Sequence, residues 1–284
     1  MILDDVTLAI GKTPLVRLGR VAPDREILGK LEYLSPGGSV KDRAALSMIL
    51  DGEARGLLKP GGTVVEASGG NTGVGLALVS AVRGYRCIIV VPATTSADKI
   101  KVLHALGAET VLARTDVDGE HPEGFIGRAA AIAKELGAFA PDQFGNPANA
   151  AAHYRATAPE IVADCGGKLD AFVCCVGSHG TLAGTGRYLR EHVPGVYIAA
   201  VVTQAESRIE GVSDEHRGDK FTPDDVITIA DDEALQTQHL LMRREGILAG
   251  FSSGLATAAA LRLSERFRRV VVILPDTARN YLSL

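Results

Sequence analysis

The chain has 284 residues, 46% hydrophobic and 23% charged, with a net charge of −4. That composition describes a folded chain long enough for one large α/β domain or two modest ones, and mild acidity without a Lys/Arg run argues against nucleic acid as a partner. The acidic start, MILDDVTLAI, is no secretory signal, and no apolar run approaches the roughly 18 residues of a membrane span, so we expect a soluble cytoplasmic protein.

Strand-like and helix-like patterns alternate along the chain. A strand is expected over 25–34, a helix over 42–56 closed by Gly56, a strand over 62–67 and, after a Gly-rich turn, a helix over 74–84. A buried strand over 85–92 stops at Pro92, and Ser96 then caps a helix over 96–107 that ends at Gly107. A strand over 109–114 and a helix over 123–137 complete this first series. The second runs helix 151–167 (interrupted by Pro159), strand 169–177, a second Gly-rich turn, helix 182–193, strand 196–202, helices 232–246 and 254–267, and strand 268–275. The strands are short β-branched runs without polar alternation, which predicts parallel strands covered by helices on both faces.

The alternation predicts an α/β fold of two open, twisted, mainly parallel sheets. We expect a smaller lobe from 42–140 and a larger lobe from 1–41 and 141–284, with the ligand in the crevice between them. Two strand–loop–helix turns, SGGNTG (68–73) and GSHGT (177–181), aim backbone N–H groups at any anion in that crevice. Tight βα turns use glycine for backbone reasons alone, so one such loop means little, and neither has the dinucleotide-binding order of glycines. GKT at 11–13 is no P-loop, because Val6 stands where that motif needs glycine. Lys41, in SPGGSVKDRAA (35–45), is expected to lie exposed on a glycine turn, where a lysine gains nothing from packing. A reactive amine with anion cradles on two lobes suits pyridoxal phosphate, which needs a Schiff-base lysine, a phosphate cup and a ring-nitrogen partner. Cys87, Cys165, Cys174 and Cys175 show no metal-ligand or redox spacing and are expected as buried free thiols; no metal site is expected.

KLEYLSPGGSVKDR (30–43) resembles the lysine segment of the fold type II (β-family) pyridoxal-phosphate enzymes, in particular the cysteine synthase and cystathionine β-synthase family. The similarity extends to IGKTPLVRL (10–18), EASGGNTGVGLA (66–77), DQFGNPANAAAHYRATAPEI (142–161), VGSHGTLAG (176–184), EGILAGFSSG (245–254) and ILPDTARNYL (273–282). It implies a tryptophan synthase β-subunit-like fold with the cofactor between the lobes. It also implies roles. Lys41 would bind the cofactor and act as acid and base at the substrate's Cα. Asn71 would meet the ring hydroxyl, and Gly177, Ser178, His179, Gly180 and Thr181 the phosphate. Thr277, or else Asp276, would face the ring nitrogen. Ser68, Gly69, Gly70, Thr72 and Gln143 would hold the amino-acid carboxylate.

Three places depart from the family pattern. The substrate loop has Ser68 and Gly69 where relatives have Thr-Ser, which removes a hydroxyl and is expected to leave room for a bulkier substrate. His179 replaces a glycine of the phosphate loop and is expected to point to solvent, the alternative being a bond to the phosphate or a place on the nucleophile's path. The stretch DEHRGDKFTPDD (214–225) is polar, without a tyrosine, which casts doubt on chemistry with unactivated serine. The chain starts and stops about where the family's catalytic core does, so a haem extension, a regulatory module and allosteric control of that kind are not expected.

The resemblance implies β-replacement through an aminoacrylate. Serine, O-acetylserine or O-phosphoserine would lose its Cβ substituent and a sulfur or amine nucleophile would add, in a homodimeric biosynthetic enzyme, transferase or lyase. Two other readings fit the same residues: a β-eliminating lyase (serine/threonine dehydratase or cysteine desulfhydrase), and a non-catalytic cofactor-binding paralogue acting as a protein partner.

Overall fold

Two sheets organise the molecule. The computed structural model describes residues 2–207, 209, 211–212 and 221–281. The chain order is β1 (Leu15–Arg17), β2 (Glu26–Leu31), α1 (Lys41–Ala54), β3 (Thr63–Ala67), α2 (Asn71–Arg83), β4 (Arg86–Pro92), α3 (Ala97–Ala105), β5 (Glu109–Ala113) and α4 (Phe125–Leu136). There follow α5 (Pro147–Ala152), α6 (Ala158–Asp164), β6 (Ala171–Cys175), α7 (Gly180–His192), β7 (Tyr197–Thr203), β8 (Asp225–Ile229), α8 (Asp231–Leu240), α9 (Phe251–Leu263) and β9 (Arg269–Leu274).

The larger sheet has the order β1-β2-β9-β6-β7-β8 and the smaller β3-β4-β5. Every pairing is parallel except β1 with β2. The central strands are buried on both faces, as the unbroken apolar runs Phe172–Cys174 and Val270–Leu274 require, and separate apolar clusters fill the space above and below each sheet. Fully burying one such Val, Leu or Ile stabilises the fold by about 1.5–3 kcal/mol.

The fold class and the alternation match the sequence reading. Strands β1 and β8 are additions: β1 is three residues long, and in β8 (DVITI) only Ile229 is buried, so neither shows an apolar run. The single helix expected over 151–167 is three pieces. Pro159 has no N–H to donate one turn back, and a π turn, His153–Thr157, carries the chain from α5 into α6. Among the described residues no helix is long and apolar enough to cross a membrane.

Helices α1 and α2 pack closely because Gly75 has no side chain; a Cβ there would lie 3.0 Å from Ala45 Cβ and 3.1 Å from the Lys41 carbonyl. That approach sets the first turn of α1 beside the loop that opens α2.

Candidate active site

A cavity of about 500 Å³ opens at the carboxyl ends of β3, β4, β6 and β9. Its lining includes Lys41, the loop Ser68–Thr72, Gln143, Gly177, Ser178, Thr181 and Asp276. A larger concavity, about 660 Å³, lies by β1 and β2. Its charged groups Arg17 and Arg269 are already paired with Glu26, at 2.7 and 2.9 Å. The expected site residues Lys41, Asn71 and Gln143 line the smaller cavity.

Lys41 is the first residue of α1 and half-buried, not exposed on the turn that precedes it. Gly38, at φ +83°, bends the chain into that turn, and Ser39 Oγ accepts the Lys41 N–H at 3.2 Å. Asp42 Oδ2 accepts from Gly37 N–H at 2.6 Å, closing the turn from the helix side. Burial pushes the Lys41 amine below its ordinary pKa, while the Asp276 carboxylate pulls the other way. A lysine so placed gives up its proton more readily than one in water, as an amine that must attack a carbonyl requires.

The loop after β3 is locked by its own first residue. Ser68 Oγ accepts N–H groups from Gly70 at 3.3 Å and Gly73 at 3.0 Å. Thr72 donates to Gln143 Oε1 at 2.6 Å, and Asn149 Nδ2 donates to the Gln143 carbonyl at 2.8 Å. Asn71 Nδ2 donates to Asp276 Oδ2 at 2.8 Å, and Tyr281 donates to the same oxygen at 2.5 Å.

The expectation of extra room at Gly69 is corrected. A Cβ there would stand 3.1 Å from Pro92 Cδ and 3.3 Å from Thr95 Oγ1, so the end of β4 and the loop after it already fill the space. A hydroxyl is present at that place, carried by Thr95.

In the loop Gly177–Thr181, two glycines are required by close approach: a Cβ at Gly177 would strike the Gly211 carbonyl, and one at Gly180 the Asn149 side chain. Gly177, Ser178 and Thr181 face the cavity; His179 and Gly180 are not in its lining. His179 caps α7 in the left-handed region, at φ +61°, and is only 4% exposed, so the expectation of a solvent-facing side chain is corrected. His153 stands behind this loop, with Nε2 3.3 Å from Thr181 Oγ1 and Nδ1 2.9 Å from Thr157 Oγ1. Burial, with Arg43 and Lys41 nearby, drives its pKa well below the ordinary imidazole value, and it stays neutral.

Asp276 lines the cavity, whereas Thr277 is half-buried, forms an antiparallel bridge with Ala249, and is not in the lining. The wall also includes residues to which the sequence reading gave no role in the site: Thr94, Thr95, Lys99, Cys174, Cys175 and Tyr281. The cysteines are free thiols, and Cys175 Sγ donates to the Ser252 carbonyl at 3.1 Å. Burial pushes Cys174 up to about 12 and Cys175 well above its ordinary value, so neither is a nucleophile near neutrality. The polar stretch 214–225 falls largely outside the described residues.

Behind the lysine runs a buried charge network. Arg43 Nε lies 2.7 Å from Glu32 Oε2 and Arg43 Nη2 2.7 Å from Glu160 Oε2, while Lys30 Nζ lies 2.9 Å from that same Glu160 oxygen. Lys30 and Glu32 are both 0% exposed.

A lysine held between two glycine-built loops, each at the amino end of a helix, defines a site for a phosphorylated aldehyde. Residues 6–276 match the family model described as pyridoxal-phosphate dependent enzyme, and the chain belongs to that family. It is similar to the cystathionine beta-synthase of Apis mellifera, 42% identical over 99% of this chain and 61% of the relative, and to that of Rattus norvegicus, 40% identical over 99% and 55%. It therefore spans little more than half the length of those relatives. The cysteine synthase of Staphylococcus aureus is 39% identical over 99% of this chain and 96% of its own. Among solved structures, O-ureido-L-serine synthase matches with a TM-score of 0.93 and 38% identity, covering 100% of this chain and 95% of that one. The O-acetylserine-dependent cystathionine beta-synthase of Helicobacter pylori matches at 0.90 and 36%, covering 100% and 98%. The chain belongs to the fold type II pyridoxal-phosphate-dependent enzymes, in the cysteine synthase and cystathionine β-synthase family. Its residues fit that cofactor: Lys41 lines the cavity, and the loop Gly177–Thr181 closes so tightly that no side chain fits at Gly177 or Gly180.

Proposed function

We propose that the enzyme performs β-replacement on a serine activated at oxygen, such as O-acetylserine or O-phosphoserine, with a sulfur or nitrogen nucleophile. One observation carries the reading: Lys41, the loop Ser68–Thr72 and the loop Gly177–Thr181 converge on one cavity. The relatives named for cysteine, cystathionine and O-ureidoserine synthesis support it. Pyridoxal phosphate, when bound, supplies the electron sink that lets a Cα proton and a Cβ substituent leave the amino acid.

The chain's own residues do the rest. Lys41 Nζ takes the Cα proton and returns it, a task suited to an amine whose pKa burial has lowered. Ser68, Gly69, Gly70, Thr72 and Gln143 hold the substrate carboxylate, chiefly through backbone N–H groups of the loop other than those of Ser68 and Gly70, since those two and the hydroxyls of Ser68 and Thr72 are already engaged. Asn71 orients the cofactor ring, and Gly177, Ser178, His179, Gly180 and Thr181 form the phosphate loop, its Thr181 steadied by His153. Thr277, or else Asp276, which lines the cavity, faces the ring nitrogen. The lobes are 42–140 and 1–41 with 141–284, and the enzyme is a cytoplasmic homodimer.

Two measurements test this. The visible spectrum of protein loaded with pyridoxal phosphate is followed on adding O-acetylserine, O-phosphoserine or serine, with Lys41→Ala as control, and products are identified by mass spectrometry after adding sulfide, a thiol or an amine. A donor-specific spectral change followed by a β-substituted alanine is expected. Stoichiometric pyruvate with every acceptor present would replace this reading with the eliminating one.

A further inference from the structure

Of the motif ILPDTARNYL, only Asp276 and Thr277 have a part in the chemistry described so far. After Thr277 the chain makes one 3₁₀ turn, Ala278–Tyr281. Ala278 N–H donates to the Leu248 carbonyl at 3.0 Å, Thr277 bridges to Ala249, and the Tyr281 ring meets Phe251 edge-on at 5.5 Å, so the turn is tied down. It carries Asn280, half-buried and outside the cavity lining, to Asn71, 209 positions earlier. Asn280 Nδ2 donates to Asn71 Oδ1 at 3.3 Å.

The Asn71 amide is therefore held at both ends. Nδ2 donates to Asp276 Oδ2 at 2.8 Å and Oδ1 accepts from Asn280; among the described residues these are its side-chain hydrogen bonds. Asp276 fixes the sense, because an ionised carboxylate only accepts. Tyr281 donates to the same oxygen, and the ammonium groups of Lys41 and Lys99 favour its charge, Lys99 Nζ standing 5.2 Å from the centre of the Tyr281 ring. Turned over, the amide would set its oxygen against the Asp276 carboxylate and its nitrogen against Asn280 Nδ2. Both bonds would be lost and like would face like. An asparagine amide has two N–H donors; one goes to Asp276, and the other is left for the cavity that Asn71 lines.

We propose that Asn280 is a positioning residue: acting on Asn71 Oδ1, and together with Asp276, it keeps the amide nitrogen, not the amide oxygen, turned to the cofactor's ring hydroxyl. A ring oxygen that must accept is held as the anion, so the clamp sets the protonation state of the bound cofactor. This rests on Asn71 meeting that oxygen, as in the reading above, and is indifferent to which nucleophile follows.

The test reads the cofactor's own absorption, without donor or acceptor. Lysine-bound pyridoxal phosphate absorbs in the visible when its ring oxygen is ionised and in the near ultraviolet when that oxygen keeps its proton. The ratio of the two bands is measured for the wild type, Asn280→Asp, Asn280→Ala and Asn280→Gln, and Kd for pyridoxal phosphate by fluorescence titration of each apoenzyme. Asn280→Asp keeps the size but sets an acceptor against Asn71 Oδ1. The visible-to-ultraviolet ratio is expected to fall about fivefold there and Kd to rise by a similar factor, the worth of one misdirected hydrogen bond. Asn280→Ala is expected to lose about twofold, and Asn280→Gln, which keeps the amide donor, to return toward wild type. In an Asn71→Ala background none of the three should change either quantity further. An unchanged ratio in Asn280→Asp overturns the proposal. An equal loss in the Asn71→Ala background does so too, since the turn would then act by packing and not through the amide. Wild-type bands in Asn71→Ala would also overturn it, by removing Asn71 from the ring. A wrong reaction assignment is seen separately, as pyruvate in place of a β-substituted alanine, and leaves these bands where they are.

Discussion

Asn71 and Asp276 are 205 residues apart and meet in a 2.8 Å hydrogen bond, joining the first residue of α2 to the turn after the last strand of the larger sheet. The pair closes the cavity floor across the two sheets. Asp276 is also the acid that opposes the lowering of the Lys41 pKa.

Asp276→Asn removes that opposition while keeping the side chain's size. The Lys41 pKa then falls further, so the neutral amine is present at lower pH. The rate at which pyridoxal phosphate combines with apoenzyme, followed by absorbance across pH, is expected to reach its plateau at lower pH in the variant. A profile shifted upward would show that Asp276 does not act on Lys41.

Gly69→Ser places a Cβ 3.1 Å from Pro92 Cδ and 3.3 Å from Thr95 Oγ1. Both contacts are tighter than ordinary packing, and Thr95 must give way. We expect kcat/KM to fall about tenfold, as a displaced wall misaligns the reactants, and Gly69→Ser with Thr95→Ala to recover much of it. Independent, additive effects of the two substitutions in steady-state kinetics would deny the coupling.

Arg43→Met leaves Glu32 buried without its cation. Breaking a buried ion pair from one side costs about 3–5 kcal/mol, and denaturant unfolding should show that loss. Glu32→Gln together with Arg43→Met should be less destabilised than the sum of the two changes.

Glu66, on β3, is buried, and burial raises its carboxyl to about 8. The folded state therefore holds a proton that the unfolded chain releases near pH 4.5. Stability from this group is complete below pH 4.5 and declines as pH rises toward 8. Glu66→Gln should flatten the fall of Tm between pH 5 and 8, measured by calorimetry at about one-unit intervals.

The parts of the site built by one short stretch were legible in the sequence. Lys41 follows two glycines and opens a helix, and Ser68–Thr72 and Gly177–Thr181 are turns in which Gly69, Gly177 and Gly180 are closely approached by neighbouring backbone and side chains. What the sequence hid is set by distant partners. His179 is buried because a left-handed backbone turns it inward, a choice usually left to glycine or asparagine. The vacancy expected at Gly69 is filled by Thr95, 26 positions along the chain, and nothing in either stretch announces the other. Lys99 reads as one more charge on an amphipathic helix until Tyr281 arrives beside it from the carboxyl end. Strand β8 went unseen because one face is solvated and the run is short.

The Arg43 network has a mechanical consequence. Arg43 lies two residues after Lys41 and is clamped to Glu32 and Glu160, which belong to segments packed with the larger sheet, while the rest of α1 packs on α2. The helix is thus an axle with one end fixed. If the three-stranded sheet swings about that end, the loop Ser68–Thr72 at its edge sweeps the longer arc and Lys41, close to the pivot, hardly travels. In such a swing Lys41 would stay still while the loop Ser68–Thr72 came and went.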